Sequence, residues 1–261
     1  MLCFSAIVPH SPLLIPAIGQ ENIEKFKTTI KALDDLKKKF EEAKPDTVVV
    51  ISPHGPLLAD AFTINLNSDY LGSFEEFGEF ATKLEFKPDQ QLLSQIRERS
   101  TKELPIVLTS NQKLDYGTAV PLFYLTANQP ILPIVPVGYS NLNFQKHYQF
   151  GQIMSEEVSK IGRRRVAVIA SSDLSHSLTE DAPGGYNLKG KEFDQKLLTL
   201  LKDNTFEEIT KIDPELSKDA AECGLRSIII LLGVLTEKKP KFEEISYEAP
   251  FGVGHLVGQF T

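Results

Sequence analysis

Apolar runs that suit β-strands alternate along this 261-residue chain with segments of helical periodicity. Thr47–Ile51 is a continuous β-branched run, and Arg165–Ala170 is nearly as apolar. Such runs are typical of strands that are covered on both faces. The chain ends with two adjacent strand patterns, Lys241–Tyr247 and Gly254–Phe260. Alternating strands and helices followed by a late strand pair predict an α/β fold, a three-layer sandwich with a mixed central sheet between helical layers.

The same periodicities predict the other elements. Further strands are predicted at Leu2–Val8, Phe62–Leu66, Lys83–Phe86, Pro105–Thr109 and Ile131–Val137. Helices are predicted at Asn22–Ala43, Asp89–Ser100, Gly117–Ala127, Leu142–Ile161, Gly190–Asp203 and within Asp213–Leu235. Pro133 and Pro136 favour an edge position or a bulge for their strand, because proline donates no hydrogen bond. The segment SDYLGSFEEFGEF predicts an ordered loop or lid. No repeat or linker divides the chain, so one domain over residues 1–261 is expected.

Composition argues against several classes of protein. A formal net charge of −7 disfavours a nucleic-acid surface. No apolar stretch approaches the roughly 20 residues that span a bilayer, and the N-terminus lacks the features of a signal peptide. Only two cysteines are present, so a reducing, cytoplasmic location is expected. The glycine-rich patterns that cradle phosphates are absent. Neither a homo-oligomer nor a monomer is favoured.

Three of the five histidines follow strand-type runs. They are His10 in AIVPHSP, His54 in VVVISPHGP and His176 in VAVIASSDLSH. The exits of parallel strands converge on one edge of a sheet, so the pattern predicts one site that holds a metal or a general base. Alternatively, each histidine caps a strand end or binds a backbone carbonyl. His147 lies on a polar helix and is expected to be solvated, whereas His255 is expected to pack or to face a partner.

Neighbouring residues support this interpretation. A proline precedes both His10 and His54, and its fixed φ stiffens the strand exit. Asp173 precedes His176 by three residues and could accept a hydrogen bond from its ring, which would orient His176 as a general acid or base. The alternative is a loop histidine, with Asp173 capping a helix.

A metal held by two histidines needs a further ligand, and Glu222 and Cys223 in AAECGLRS are candidates. An inward-pointing Glu222 would need a compensating cation, while an outward-pointing one would simply favour a helix start. Asp115 in KLDYGTAVPL and Arg226 are candidates for orienting a ligand or substrate. Asp115 could equally be a helix cap.

Seven short motifs together resemble one known family. They are VPHSP, SPHG, LDYGTAVPL, ASSDLSH, GGYNLKGKEFD, ECGLRSIIILLG and YEAPFGVG, and they run in the expected order from residue 9 to residue 254. The chain resembles the LigB-like superfamily of class III extradiol ring-cleavage dioxygenases. Its likeness is greatest to the LigB-like domain that accompanies AMMECR1-type domains, which is related to Memo proteins.

This resemblance implies a non-haem Fe(II) site with His10, His54 and Glu222 as ligands and His176 as the catalytic acid or base. It places Asp115 and Tyr116 in the catalytic pocket. The implied reaction opens the ring of a catecholic or related small aromatic substrate with O₂. Zinc and copper are the alternative metals.

Two features leave other functions open. The family pattern around Asp115 commonly reads DHGT, whereas this chain has Tyr116 in place of the histidine. Memo-type relatives use a cysteine near Cys223. The alternative function is therefore a Memo-like metal-binding or redox protein that acts through a partner, such as an AMMECR1-type or radical-SAM protein, without ring cleavage. A zinc hydrolase with a metal-bound water is a third alternative.

Overall fold

The computed structural model describes residues 1–127 and 132–261. The strands are β1 (Leu2–Val8), β2 (Thr47–Ser52), β3 (Phe62–Asn65), β4 (Tyr70–Phe74), β5 (Glu79–Phe86), β6 (Ile106–Thr109), β7 (Ile134–Gly138), β8 (Val166–Ser171), β9 (Phe242–Glu248) and β10 (His255–Phe260). The α-helices are α1 (Pro16–Gly19), α2 (Lys27–Ala43), α3 (Gln90–Ser100), α4 (Tyr116–Thr126), α5 (Phe144–Lys160), α6 (Leu188–Lys202), α7 (Phe206–Ile209), α8 (Pro214–Asp219) and α9 (Leu225–Leu235). Short 3-10 segments occur at Pro12–Leu14, Gln20–Phe26, Glu75–Phe77 and Pro250–Gly252.

Eight strands form one mixed sheet in the order β6-β3-β7-β2-β8-β1-β10-β9. The four adjacent strands β7, β2, β8 and β1 all run in the same direction, so each pair of neighbours is parallel. β3 is antiparallel to β7, and the final strands β10 and β9 continue the sheet in antiparallel fashion. The predicted mixed sheet is therefore confirmed.

Helices cover both faces of this sheet, as the continuous apolar runs indicate. Successive side chains of a strand point to opposite faces. In β2, Val48 and Val50 join a core that includes α2 and α4, while Val49 and Ile51 join one that includes α3, α5, α6 and α9. All six residues of β2 are buried. The three layers place the carboxyl ends of the central parallel strands at one edge, between the helices.

Two local expectations were wrong. The predicted loop at residues 68–80 instead forms most of the β4–β5 hairpin, whose turn contains Gly78 at a positive φ of 81°. The strand that contains Pro136 is internal, because β7 pairs with β2 and β3. Within this strand, Val137 and Gly138 pair with β3, and both follow the proline. Ile131, where this strand was predicted to begin, lies outside the described residues.

The stretch Asp213–Leu235, which was predicted to contain the last helix, holds two helices separated by a turn. α8 ends at Asp219 and α9 begins at Leu225, and the turn between them holds Glu222 and Cys223. Ala221 in this turn has a positive φ of 51°. Among the helices of residues 1–127 and 132–261, none combines the length and the apolar character that a membrane crossing requires.

Candidate metal centre

Three polar residues of the site follow three neighbouring parallel strands at the same distance in sequence from the strand end. His10, His54 and Asp173 each lie two residues beyond the last residue of β1, β2 and β8, respectively. In the sheet, β8 lies between β2 and β1, with Ser171 paired to Val8. Equal offsets at the carboxyl ends of adjacent parallel strands bring the three residues together. The order of strands in the sheet thus brings these three strand exits next to one another.

His10 is buried and its tautomer is set by its neighbours. Ser171 Oγ donates to the carbonyl oxygen of Gly117 at 2.5 Å. A hydroxyl has one proton, so Ser171 can only accept from His10 Nδ1, which lies 2.8 Å away. The neutral ring therefore carries its proton on Nδ1 and leaves a lone pair on Nε2. The amide of His10 donates to Asp173 Oδ1 at 3.0 Å, which fixes the backbone at the strand exit.

His54 faces His10. Their Nε2 atoms are 3.0 Å apart, and the two rings meet edge to face. On its other side, His54 Nδ1 lies 3.1 Å from the hydroxyl of Tyr116, whose ring stacks on His54 with centroids 4.1 Å apart. Both ring nitrogens of His54 thus have polar neighbours, one of them at the proposed metal site.

Cys223 completes the group. Its Sγ lies 3.2 Å from His10 Nε2, and one donor atom each from His10, His54 and Cys223 lies within 4.8 Å of the others. The turn reaches the strand exits because Gly224 packs directly on Ser172 and Asp173, the two residues that follow β8. A Cβ at that position would lie 1.8 Å from Ser172 Oγ. Two imidazoles and a thiol from three separate segments therefore form a cluster that suits a metal ion.

The carboxylate of Glu222 is directed elsewhere. It accepts hydrogen bonds from Ser217 Oγ at 2.5 Å and from the amides of Gly224 and Leu225 at 2.8 and 2.6 Å. The two amides are among the free donors of the first turn of α9. Glu222 thus caps this helix, and it does not join the three donor atoms around His10.

His176 adjoins the cluster. Its Nδ1 lies 3.0 Å from the carbonyl oxygen of Leu174, which can only accept, so in the neutral ring Nδ1 carries the proton and Nε2 has the lone pair. That Nε2 lies 4.0 Å from Cys223 Sγ. The hydrogen bond expected between the His176 ring and Asp173 is not the one observed, because Leu174 provides the partner.

Asp115 and Tyr116 lie at the start of α4. Asp115 caps this helix by accepting from the amide of Thr118 at 2.9 Å, and it also accepts from Ser52 Oγ at the end of β2. The capping alternative is confirmed for Asp115, and the same carboxylate ties α4 to the strand that carries His54. Arg226 lies over the rings of Tyr139 and Phe144.

Burial controls the charges in the cluster. It lowers the pKa of His10, and burial together with His10 lowers the pKa of His54 to about 3. Burial raises the pKa of the Cys223 thiol well above its ordinary value. Burial alone would raise the pKa of Asp173, but the imidazoles of His10, His255 and His176 bring it below the ordinary value. Burial thus favours the neutral forms of the His10 and His54 rings and of the Cys223 thiol.

Two other histidines lie in the interior. His147, which was expected to be solvated, is fully buried. Its Nδ1 lies 2.9 Å from the backbone oxygen of Asn143, and its Nε2 accepts from the amide of Ser140 at 3.4 Å. His255 is buried with its Nε2 3.9 Å from Asp173 Oδ2 and its ring edge-on to Phe26. Helical periodicity alone does not reveal His147, because the turn that covers it comes from a preceding loop.

A cavity of about 430 Å³ opens beside the cluster. Its lining includes His54, Asp115, Tyr116, Lys113 and Glu76. Its volume falls in the range of small-molecule sites. The arrangement therefore joins a candidate metal site to a chamber that would accommodate a small substrate.

Comparison with known proteins identifies the family. Residues 5–258 match the family model of the catalytic LigB subunit of aromatic ring-opening dioxygenase. The chain belongs to the LigB family. This confirms the resemblance seen in its motifs at the level of the family.

Two individual proteins are similar to this LigB chain. A Clostridium acetobutylicum protein known by a locus name is 35% identical over 261 positions, which cover 96% of this chain and 56% of the relative. The chain thus spans about half the length of that relative. The crystal structure of an uncharacterized Escherichia coli K12 protein superposes with a TM-score of 0.68 at 13% identity, over 99% of this chain and 100% of the other. This second likeness shows the shared fold alone.

Proposed function

We propose that this protein is a metal-dependent oxidoreductase that uses dioxygen to open the ring of a catecholic or related small aromatic compound. In this proposal His10, His54 and Cys223 hold the metal, and the substrate occupies the adjoining cavity. The family match supports the class of reaction. The observation that carries the ligand set is the position of Cys223 Sγ, 3.2 Å from His10 Nε2.

The donor atoms fit a transition metal, but they differ from the expected Fe(II) triad. That triad includes the carboxylate of Glu222, whose oxygens are occupied by Ser217 and by the first turn of α9. A thiolate with two imidazoles favours copper or zinc, whereas a hard carboxylate favours iron. The metal that this site binds therefore distinguishes between the two ligand sets.

The residues around the cluster can perform the proton transfers that oxidation of a diol requires. When bound, a metal ion would supply Lewis acidity and, if it is redox-active, electron transfer. In its neutral form His176 presents the lone pair of Nε2 towards Cys223 and can take a proton from a substrate hydroxyl. Tyr116 lines the cavity beside His54, and burial raises the pKa of its hydroxyl, which stays protonated and can donate to the substrate.

A Memo-like redox protein is the second candidate, and the thiol in the cluster is the observation that favours it. Such a protein would use the same His10, His54 and Cys223 without ring cleavage and would act through a partner. An AMMECR1-type or radical-SAM protein is the partner that we propose in this case. The greater length of the Clostridium relative is compatible with a further domain that serves this purpose.

Metal analysis of two neighbouring variants tests the ligand set. After anaerobic purification, we expect one metal ion per parent chain by mass spectrometry. Cys223→Ser should reduce the metal content at least tenfold, because it removes a donor, and second-sphere changes alone already cost about 10–100-fold in affinity. Glu222→Gln is the matched control and should retain the metal. The opposite pattern would restore Glu222 as the ligand and favour Fe(II).

Oxygen consumption separates the two candidate functions. The parent, loaded in turn with Fe(II), copper or zinc, is mixed with a panel of catechols and aminophenols. Ring-opened products from any loaded form support the dioxygenase. Stable copper binding without oxygen uptake on any substrate supports the redox protein.

A further inference from the structure

We infer that Tyr116 is a positioning residue that pairs with His54 Nδ1 in either tautomer of His54 and thereby couples metal binding to substrate recognition. The inference rests on the proposed metal site of His10, His54 and Cys223. It starts from the contact between the Tyr116 hydroxyl and His54 Nδ1 at 3.1 Å. A phenol can either donate or accept a hydrogen bond, and this freedom is what the coupling requires.

Without a metal, the two histidines share one proton between their facing nitrogens. His10 Nε2 has an unshared electron pair, because Ser171 accepts a hydrogen bond from Nδ1 and so keeps the ring proton of His10 there. His54 Nε2 lies only 3.0 Å away, and two lone pairs at this distance would repel each other. His54 therefore carries its proton on Nε2 and donates it to His10. The remaining nitrogen, His54 Nδ1, must then accept from the Tyr116 hydroxyl.

With a metal ion bound, these roles would be reversed. If His10 and His54 both bind it through Nε2, the single proton of neutral His54 has to move to Nδ1. His54 Nδ1 then donates, and the Tyr116 oxygen accepts. No proton is lost from His54, and Tyr116 keeps its own.

The hydroxyl proton of Tyr116 becomes free in the metal-bound state. Tyr116 lines the cavity, so this proton can be donated to a substrate oxygen there. The ring is held in place meanwhile, because one face stacks on His54 and the edge of Phe77 packs against it with centroids 5.3 Å apart. A substrate that needs this donor would therefore bind more tightly after the metal has bound.

Zinc titration of Tyr116→Phe tests the first half of this coupling. The phenyl ring keeps the stacking on His54 but cannot accept from Nδ1. We expect the dissociation constant for Zn(II) alone to rise about 10–100-fold, the usual effect of losing the partner of a ligand histidine. Tyr148→Phe is the matched control, since it removes a hydroxyl that accepts from Thr236 far from the cluster, and it should bind zinc as the parent does. Parent-like affinity in Tyr116→Phe would overturn the inference while leaving the metal site intact.

Nitrogen NMR of the histidine rings tests the tautomer directly. In the parent, we expect His54 to carry its proton on Nε2 before zinc is added and on Nδ1 afterwards, with the resonance assigned by comparison with His54→Gln. Because the metal itself causes this exchange, we also measure it in Tyr116→Phe, where loss of the acceptor at Nδ1 should shift the exchange to a higher zinc concentration. A His54 proton already on Nδ1 in the metal-free chain overturns the inference. A parent that binds no zinc, copper or iron overturns both the inference and the proposed function.

Discussion

At the scale of single residues, backbone and hydroxyl groups outside the cluster determine what its histidines can do. A carbonyl oxygen fixes the proton of His176 on Nδ1, and Ser171 does the same for His10. In their neutral forms, both rings thus have their lone pair at Nε2. Since second-sphere partners set the tautomer and the basicity of a histidine, Ser171 and Leu174 matter to the chemistry without touching a substrate.

The prediction at this scale concerns His176. Its Nε2 is 4.0 Å from Cys223 Sγ, outside the group of three donor atoms. We therefore expect His176→Ala to keep its metal and to lose about 10²–10⁴-fold in turnover, the usual contribution of a positioned acid or base. Metal content and steady-state oxygen uptake are measured on the same preparation. Loss of the metal from this variant would make His176 a ligand.

At the scale of secondary structure, helix packing sets where the turn with Cys223 lies. α9 follows this turn and crosses α5 in close contact at Gly151 and Gly233. A Cβ on Gly151 would lie 2.0 Å from the carbonyl oxygen of Ile230, which is backbone and cannot move aside. The small residue therefore lets the two helices approach, and α9 in turn holds its N-terminal turn against β8.

Gly151→Ala tests this packing. Alanine improves helix propensity by about 1 kcal/mol, but the clash at the crossing costs about 1–3 kcal/mol or more because the neighbour is backbone. We expect the clash to prevail, so the free energy of unfolding in urea should fall by about 1–2 kcal/mol. Ser159→Ala, on an exposed position of the same helix, is the control and should change it by less than about 0.5 kcal/mol. A more stable Gly151→Ala variant would show that α5 and α9 can separate freely.

At the scale of the whole molecule, buried histidines make stability depend on pH. Burial and His10 lower the pKa of His54 from 6.5 to about 3, and burial lowers that of His147 from 6.5 to about 4. In the unfolded chain these rings take up protons near pH 6.5, while in the folded chain they stay neutral. The unfolded state therefore binds more protons below pH 6.5, and stability decreases as the pH falls through this window.

One carboxylate acts in the opposite direction. Burial raises the pKa of Asp194 from 3.8 to about 6, despite the hydrogen bond from Tyr247. Between these values the folded state binds more protons than the unfolded state. The free energy of unfolding therefore decreases, through this group, as the pH rises towards 6. Asp194 offsets part of the effect of the histidines.

We expect the metal-free protein to be less stable at pH 5 than at pH 7. Each buried histidine contributes about 1–2 kcal/mol to this difference. Urea unfolding at several pH values, in the presence of a chelator, measures it. His147→Gln removes one of these groups without touching the cluster, so its free energy of unfolding should depend less steeply on pH. A slope equal to that of the parent would contradict the assignment of His147.

The sequence by itself determined the layers of the fold and the edge at which the site lies. Side-chain alternation and continuous apolar runs are local properties, and they predict buried strands such as β2 between helices. The strand exits placed His10 and His54 together for the same reason. The position of β7 inside the sheet depended instead on its pairing with β2 and β3, and the β4–β5 hairpin depended on pairing between its own two strands. A local apolar pattern contains neither pairing.

Only the tertiary structure decided between Glu222 and Cys223 as the residue that reaches the histidines. The two are adjacent in sequence, and both are chemically able to bind a metal. Cys223 reaches His10, 213 positions away, because Gly224 packs against Ser172 and turns the thiol inwards. The carboxylate of Glu222 instead points away from the cluster and accepts from the amides at the start of α9. The helix start and the glycine contact together fix which side chain faces the cluster, and neither is visible until the chain has folded.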